Sequence, residues 1–276
     1  MLFDRISRIG LIVNGKTLSI AILAILATWV SLKLNLVADY PLTIISTAVI
    51  FPIVFSIGHA YKRRESALDD YGVIKAHGRA IYFAARDWIP DQSEDRLRHV
   101  ETVLVHLLKS CRDLFKAERE DISIHEREVY ASFSELSEFV KRMREEGLAS
   151  GECSRCNQYI SKMIVAFESV KHIYQYRTPR TLRAFSDFFI IVLPLIYGPY
   201  FAHLAIEYEA SVLTYVMPVL FAVILTGLDN IQSHLEDPFD QIGPDDVAIN
   251  AEKFVELLAC GENGSNCGAQ VARRAA

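Results

Sequence analysis

The sequence predicts an all-α membrane protein, with four transmembrane helices in two hairpins and a helical cytosolic domain between them. Three observations predict it. The 276-residue chain is 51% hydrophobic with a positive mean hydropathy of +0.19, above what a soluble chain of this size carries. Its apolar residues gather into four segments, each close to the roughly 20 residues that span a bilayer. No segment sustains the period-two alternation of a half-buried strand.

The first segment covers about Thr17–Leu36 and is interrupted by Lys33 near its end; the second covers about Pro41–Ala60. The third covers about Phe185–Ile206 and the fourth about Val212–Leu228. Val37–Tyr40 and Glu207–Ser211 join them in pairs, and such short links fit only hairpins of neighbouring helices. Thr17–Leu32 has the look of a signal-peptide core, but no small-residue cleavage site follows it and a second apolar stretch comes almost at once. It reads as a retained membrane helix.

Charge placement orients these helices. Arg5, Arg8 and Lys16 precede the first segment, Lys62, Arg63 and Arg64 follow the second, and Arg177, Arg180 and Arg183 precede the third. The two links hold Asp39, Glu207 and Glu209 and neither Lys nor Arg. Basic residues stay on the cytoplasmic side, so both termini and the long centre are expected in the cytoplasm, with the chain in the inner cell membrane. The third cluster is expected to anchor its helix to lipid headgroups.

The centre reads as helical. After the turn signal Pro90-Asp91-Gln92-Ser93, Leu97, Val100, Leu104, Leu107, Cys111 and Leu114 recur at helical spacing. Val129, Phe133, Leu136, Val140 and Met143 repeat the pattern up to Gly147, and a further helix is expected over Asn157–Tyr176. The chain thus divides into an N-terminal segment with the first hairpin (1–60), a cytosolic helical domain (61–184), the second hairpin (185–228), a C-terminal helical segment (229–260) and a tail of disordered composition (261–276).

Several function classes find no support. The net charge of −5 comes without an independent basic module, so no nucleic-acid partner is expected. Five cysteines, an odd and scattered number, are not a disulfide framework. Cys153 and Cys156 have the spacing of half a zinc site but no second pair nearby, so a packed or exposed thiol pair is expected and no metal. No Ser-His-Asp arrangement or phosphate-cradling glycine loop exists, so neither an enzyme nor a cofactor is expected.

The second apolar segment carries the most specific pattern. Phe51, Phe55 and His59 fall at i, i+4 and i+8 on one helix stripe. Lipid does not require such a stripe, because any apolar residue satisfies it. It either packs on a neighbouring helix or lines a hydrophobic constriction, which gates a water-filled path by dewetting. The second reading demands an oligomer with this helix at its axis. Pro52 would bend the helix and Gly58 would permit close backbone approach.

The stretch FPIVFSIGH at residues 51–59 resembles the second-helix motif of bestrophin anion channels. Leu235-Glu236-Asp237-Pro238-Phe239-Asp240 is similar to that family's Asn-Pro-Phe-Gly signature, and Leu193-Pro194-Leu195-Ile196-Tyr197 to its Pro-Leu-x-Tyr. The order of parts fits over residues 1–255. The resemblance implies a homopentamer around one central pore, with Phe51, Phe55 and His59 as neck rings. It implies conduction of chloride and other small anions. In such a pentamer Lys62, Arg63 and Arg64, which set topology first, would fall as a basic belt just below His59 and concentrate anions.

Two departures stand out. His59 takes a place usually held by Phe, and histidine is the side chain that changes charge near neutrality. A ring of imidazoles charged by acidification would attract anions. After Phe239 and Asp240, Gln241-Ile242-Gly243-Pro244 breaks the acidic run that helps animal members hold calcium, a cation wanting six or more oxygens. Asp237 is expected to cap a turn, and Asp245 and Asp246 the next helix, so the expectation is calcium independence. Cation conduction through the same fold, or a non-conducting membrane-anchored signalling or scaffold protein, remain the alternatives.

Overall fold

The computed structural model describes residues 10, 13–91, 93–118, 120–176, 180–209, 212–236, 238–239 and 246–259. Among the described residues all regular structure is helical: α1 (Gly15–Lys33), α2 (Leu42–Asp87), α3 (Glu94–Lys116), α4 (Ile122–Glu145), α5 (Ser150–Gln175), α6 (Arg180–Glu207), α7 (Leu213–Glu236) and α8 (Ala251–Ala259). The all-α expectation holds. The spans Gly15–Lys33, Thr43–Asp87, Thr181–Glu207 and Thr214–Glu236 are each long and apolar enough to cross a membrane. The chain forms two compact units: 1–64 with 177–238 and 243–245, and 65–176 with 239–242 and 246–276.

In the first unit, α1 packs on α6 and α7, which also pack on each other. Asn14 caps α1, its side chain accepting from the backbone N–H groups of Lys16 and Thr17 while Thr17 answers it in a capping box. Ile20, Ala21 and Ala24 bury against Ile190 and Ala222. Small residues suit this seam, because helices in lipid associate by close packing rather than by a hydrophobic drive. Gly198 marks the tightest point: a Cβ there would lie 2.9 Å from the backbone carbon and oxygen of Ala27. Beside it Val49, Ile53, Leu193, Tyr197, Phe201 and Leu225 form a second cluster, with Tyr197 stacked on Phe221 at 4.3 Å between centroids.

The second unit is built around one helical core. Ala67, Tyr71, Ile74, Ile81 and Tyr82 of α2 join Leu104, Leu107, Leu114, Leu136, Met143, Met163 and Phe167 in it. Ser93 caps α3, accepting from the Arg96 backbone N–H. Gly147, at φ 109°, ends α4; the Leu148 N–H reaches back to Met143 and the Gly147 N–H to Arg144, the two bonds of a Schellman motif. Gly78 lets α2 approach closely, because a Cβ there would sit 3.2 Å from Leu104 Cδ2 and 3.6 Å from Phe254 Cζ. Phe239 is fully buried and stacks on Phe115 at 4.8 Å.

The structure moves several element boundaries. Helix α2 does not stop at Ala60 but runs on to Asp87, because the polar stretch after Tyr61 carries the core-facing positions of the second unit. Helix α5 begins at Ser150 rather than Asn157; Cys153 and Cys156 share its buried face with Ile160 and Met163 and are free thiols. Helix α7 continues beyond Leu228 to Glu236. Asp246 does not cap the last helix: the Asn250 side chain does, accepting from the Lys253 N–H at 2.8 Å. The expected caps Asp237 and Asp245, and the tail 261–276, lie outside the described residues.

Candidate functional site

Helix α2 buries one face and leaves the opposite one bare. Val49, Ile53, Ser56 and Ala60 turn inward, while Ile44, Phe51, Val54 and Phe55 are exposed. Phe51 and Phe55 are 58% and 56% exposed, so packing within the chain does not explain them. Their rings meet edge-to-face, with centroids 4.6 Å apart and planes at 85°, a favourable aromatic geometry. His59 and Lys62 are exposed on the same side.

At 100° per residue, Phe55 lies about 40° from Phe51, His59 about 80° and Lys62 about 20°. The centre of the bare face therefore passes through Phe51, Phe55 and Lys62, with His59 at its edge. Arg63 and Arg64 turn away from that centre, are half-buried and are engaged by other groups. Of the three cations expected in a belt, only Lys62 is exposed. The helical angle alone carried that signal, since three consecutive residues spread over about 200°.

Pro52 lies inside α2, whose helical assignment is unbroken there. Proline has no N–H to donate, so one carbonyl of the preceding turn loses its helical partner. Gly58 does not serve close packing within the chain, because a Cβ at that position would meet no atom within 4 Å. Close approach occurs at Gly78 and Gly198 instead.

The last turns of α7 carry a polar network that composition did not reveal. Lys16 Nζ lies 2.6 Å from Asp229 Oδ2 and 3.2 Å from Asp187 Oδ1, while Asn14 Nδ2 donates to Asn230 Oδ1 at 3.1 Å. Glu236 accepts from Gln232 at 2.7 Å and is paired with Arg183, which also donates to Ser233 at 3.0 Å. Arg183 thus ties α6 to α7 within the chain. Of the acidic Pro-Phe motif, Glu236 is taken up by this network and Phe239 by the second core; Asp237 and Asp240 lie outside the described residues, and Pro238 makes a turn.

No protein-family model matches the sequence, and no curated protein matches it. Solved structures do match. A crystal structure of a bacterial bestrophin homologue from Klebsiella pneumoniae with a Trp-to-Ala mutation superposes with a TM-score of 0.73 at 15% identity, covering 91% of this chain and 98% of that one. A Leu-to-Thr form gives a TM-score of 0.69 at 15% identity, covering 91% of this chain and 100% of that one. The form solved by zinc phasing gives 0.67 at 15% identity, covering 89% and 95%. The chain therefore has the fold of these bestrophin homologues over nearly its whole length.

Proposed function

We propose that the protein, whose fold is that of the bestrophins, is a divergent member of that family: a subunit of a homopentameric ion channel in the inner membrane, with both termini in the cytoplasm. The bare face of α2 carries this reading. It presents two phenyl rings, an imidazole and an ammonium on one side of a helix whose other side is packed. Lipid alone gives no reason for aromatics at that spacing, whereas five copies facing one axis would form apolar rings that block ions by dewetting.

Phe51 and Phe55 are the neck rings and His59 a third at the edge of the same face. Lys62 adds positive potential below them, which concentrates anions; chloride and other small anions are the conducted species, and no catalysis is involved. Calcium independence is supported by Glu236, whose carboxylate already serves Arg183 and Gln232. Recording from the purified protein in planar bilayers, beside a mass measurement of its oligomer, tests the reading. A steady ionic current from a pentamer is expected. A pentamer that carries none would favour a membrane-anchored scaffold.

A further inference from the structure

We propose that the second unit holds a binding site for a small multivalent phosphate compound, in a cavity between the C-terminal half of α2 and α8. The cavity measures about 450 Å³, within the roughly 300–1,000 Å³ of ligand pockets. Lys75 and Arg79 enter it from α2, and Lys253 from α8. Its other lining groups are neutral. Among the described residues, no carboxylate forms an ion pair with any of these three cations.

Such crowding has a cost that calls for a counterion. Burial and the neighbouring Arg79 guanidinium hold the Lys75 ammonium below its ordinary value, the direction expected of like charges with no anion between them. Lys75 Nζ sits 4.3 Å from the Tyr71 ring centre and the Arg79 guanidinium 5.8 Å from that of Phe254. Ring faces hold the cations in place but do not neutralise them. The Arg79 Nε is buried and has no hydrogen-bond partner, an omission that is costly for a charged donor.

Asn250, which caps α8, lines the same cavity. The N-terminal end of that nine-residue helix therefore adds its positive dipole to the three side chains. A guanidinium fork, two ammonium groups and a helix N-terminus suit an oxyanion bearing two or more charges. Chloride is too small to reach three cations around such a volume. The site stands whether or not the protein conducts.

Calorimetric titration of the full-length purified protein with inorganic pyrophosphate, at fixed ionic strength, tests this. Saturable binding of one pyrophosphate per chain is expected. Arg79→Gln should weaken it roughly tenfold, as the loss of a charged hydrogen bond does. Lys253→Gln, an exposed position on α8 that leaves the core intact, should weaken it in the same sense. Lys141→Gln removes an equal charge elsewhere and should leave it unchanged. In nanodiscs containing phosphatidic acid, retained binding would identify a soluble phosphate as the ligand, and lost binding a lipid headgroup. No saturable binding, or binding insensitive to both cavity substitutions, would overturn the proposal.

Discussion

Lys16 Nζ lies 2.6 Å from the Asp229 carboxylate, whose side chain is only 4% exposed, so the first turn of α1 is tied to the last turns of α7. A carboxylate this buried depends on its partner. Lys16→Met leaves it without its ammonium and should destabilise the protein by about 1–3 kcal/mol. Asp229→Asn on top of that change should recover part of the loss, because no charge is then stranded. Thermal unfolding in detergent compares the variants; equal midpoints for wild type and Lys16→Met would show the pair to be inert.

Gly198 predicts a steric effect. A methyl there would press on Ala27 backbone at 2.9 Å, and backbone cannot rotate aside as a side chain can. Gly198→Ala should cost about 1–3 kcal/mol by overpacking. Gly58→Ala meets nothing within 4 Å in the chain and should unfold like wild type. The same melting measurement reads both.

Three buried thiols of the second unit, Cys111, Cys153 and Cys156, should be inert. Burial pushes Cys111 up to about 12 and Cys156 up to about 11, with Cys153 and Glu152 adding to the effect. The reactive species is the thiolate, so at pH 8 almost none exists at either position. A Cys260→Ser, Cys267→Ser variant should resist maleimide in the native state and take up three labels in denaturant. Fast native labelling would contradict the packing of α3 and α5.

If Phe51 and Phe55 form the proposed neck, Phe55→Ala should raise the current, and Phe51→Ala likewise, because each would remove one of its rings. Both side chains are exposed in the chain, so melting should change little, which separates a pore effect from a folding one. Bilayer recordings of the three proteins decide it. Unchanged currents would place these rings against lipid.

The membrane helices were legible because lipid imposes length and apolarity directly on sequence, and Gly147 announced the end of α4. The length of α2 was not, because its hydropathy drops at Tyr61 just where Ala67, Tyr71 and Ile74 take over as core residues of the second unit. The end of α7 was hidden for a different reason. Asp229 and Glu236 read as a polar terminus until their partners are known, and those stand 213 and 53 residues away. Within the site, Phe51 and Phe55 were evident from spacing. The belt was not, since adjacency in sequence places Arg63 and Arg64 on other faces of the helix than Lys62. Phe239 read as part of a motif, and only packing shows it stacked on Phe115.

An anion-conducting pore shows itself in the reversal potential, recorded from purified protein in a planar bilayer with potassium chloride more concentrated on one side. The current should reverse near the chloride equilibrium potential. Reversal near the potassium potential would assign the pore to cations, and a bilayer that stays silent with confirmed pentamers would contradict the channel itself.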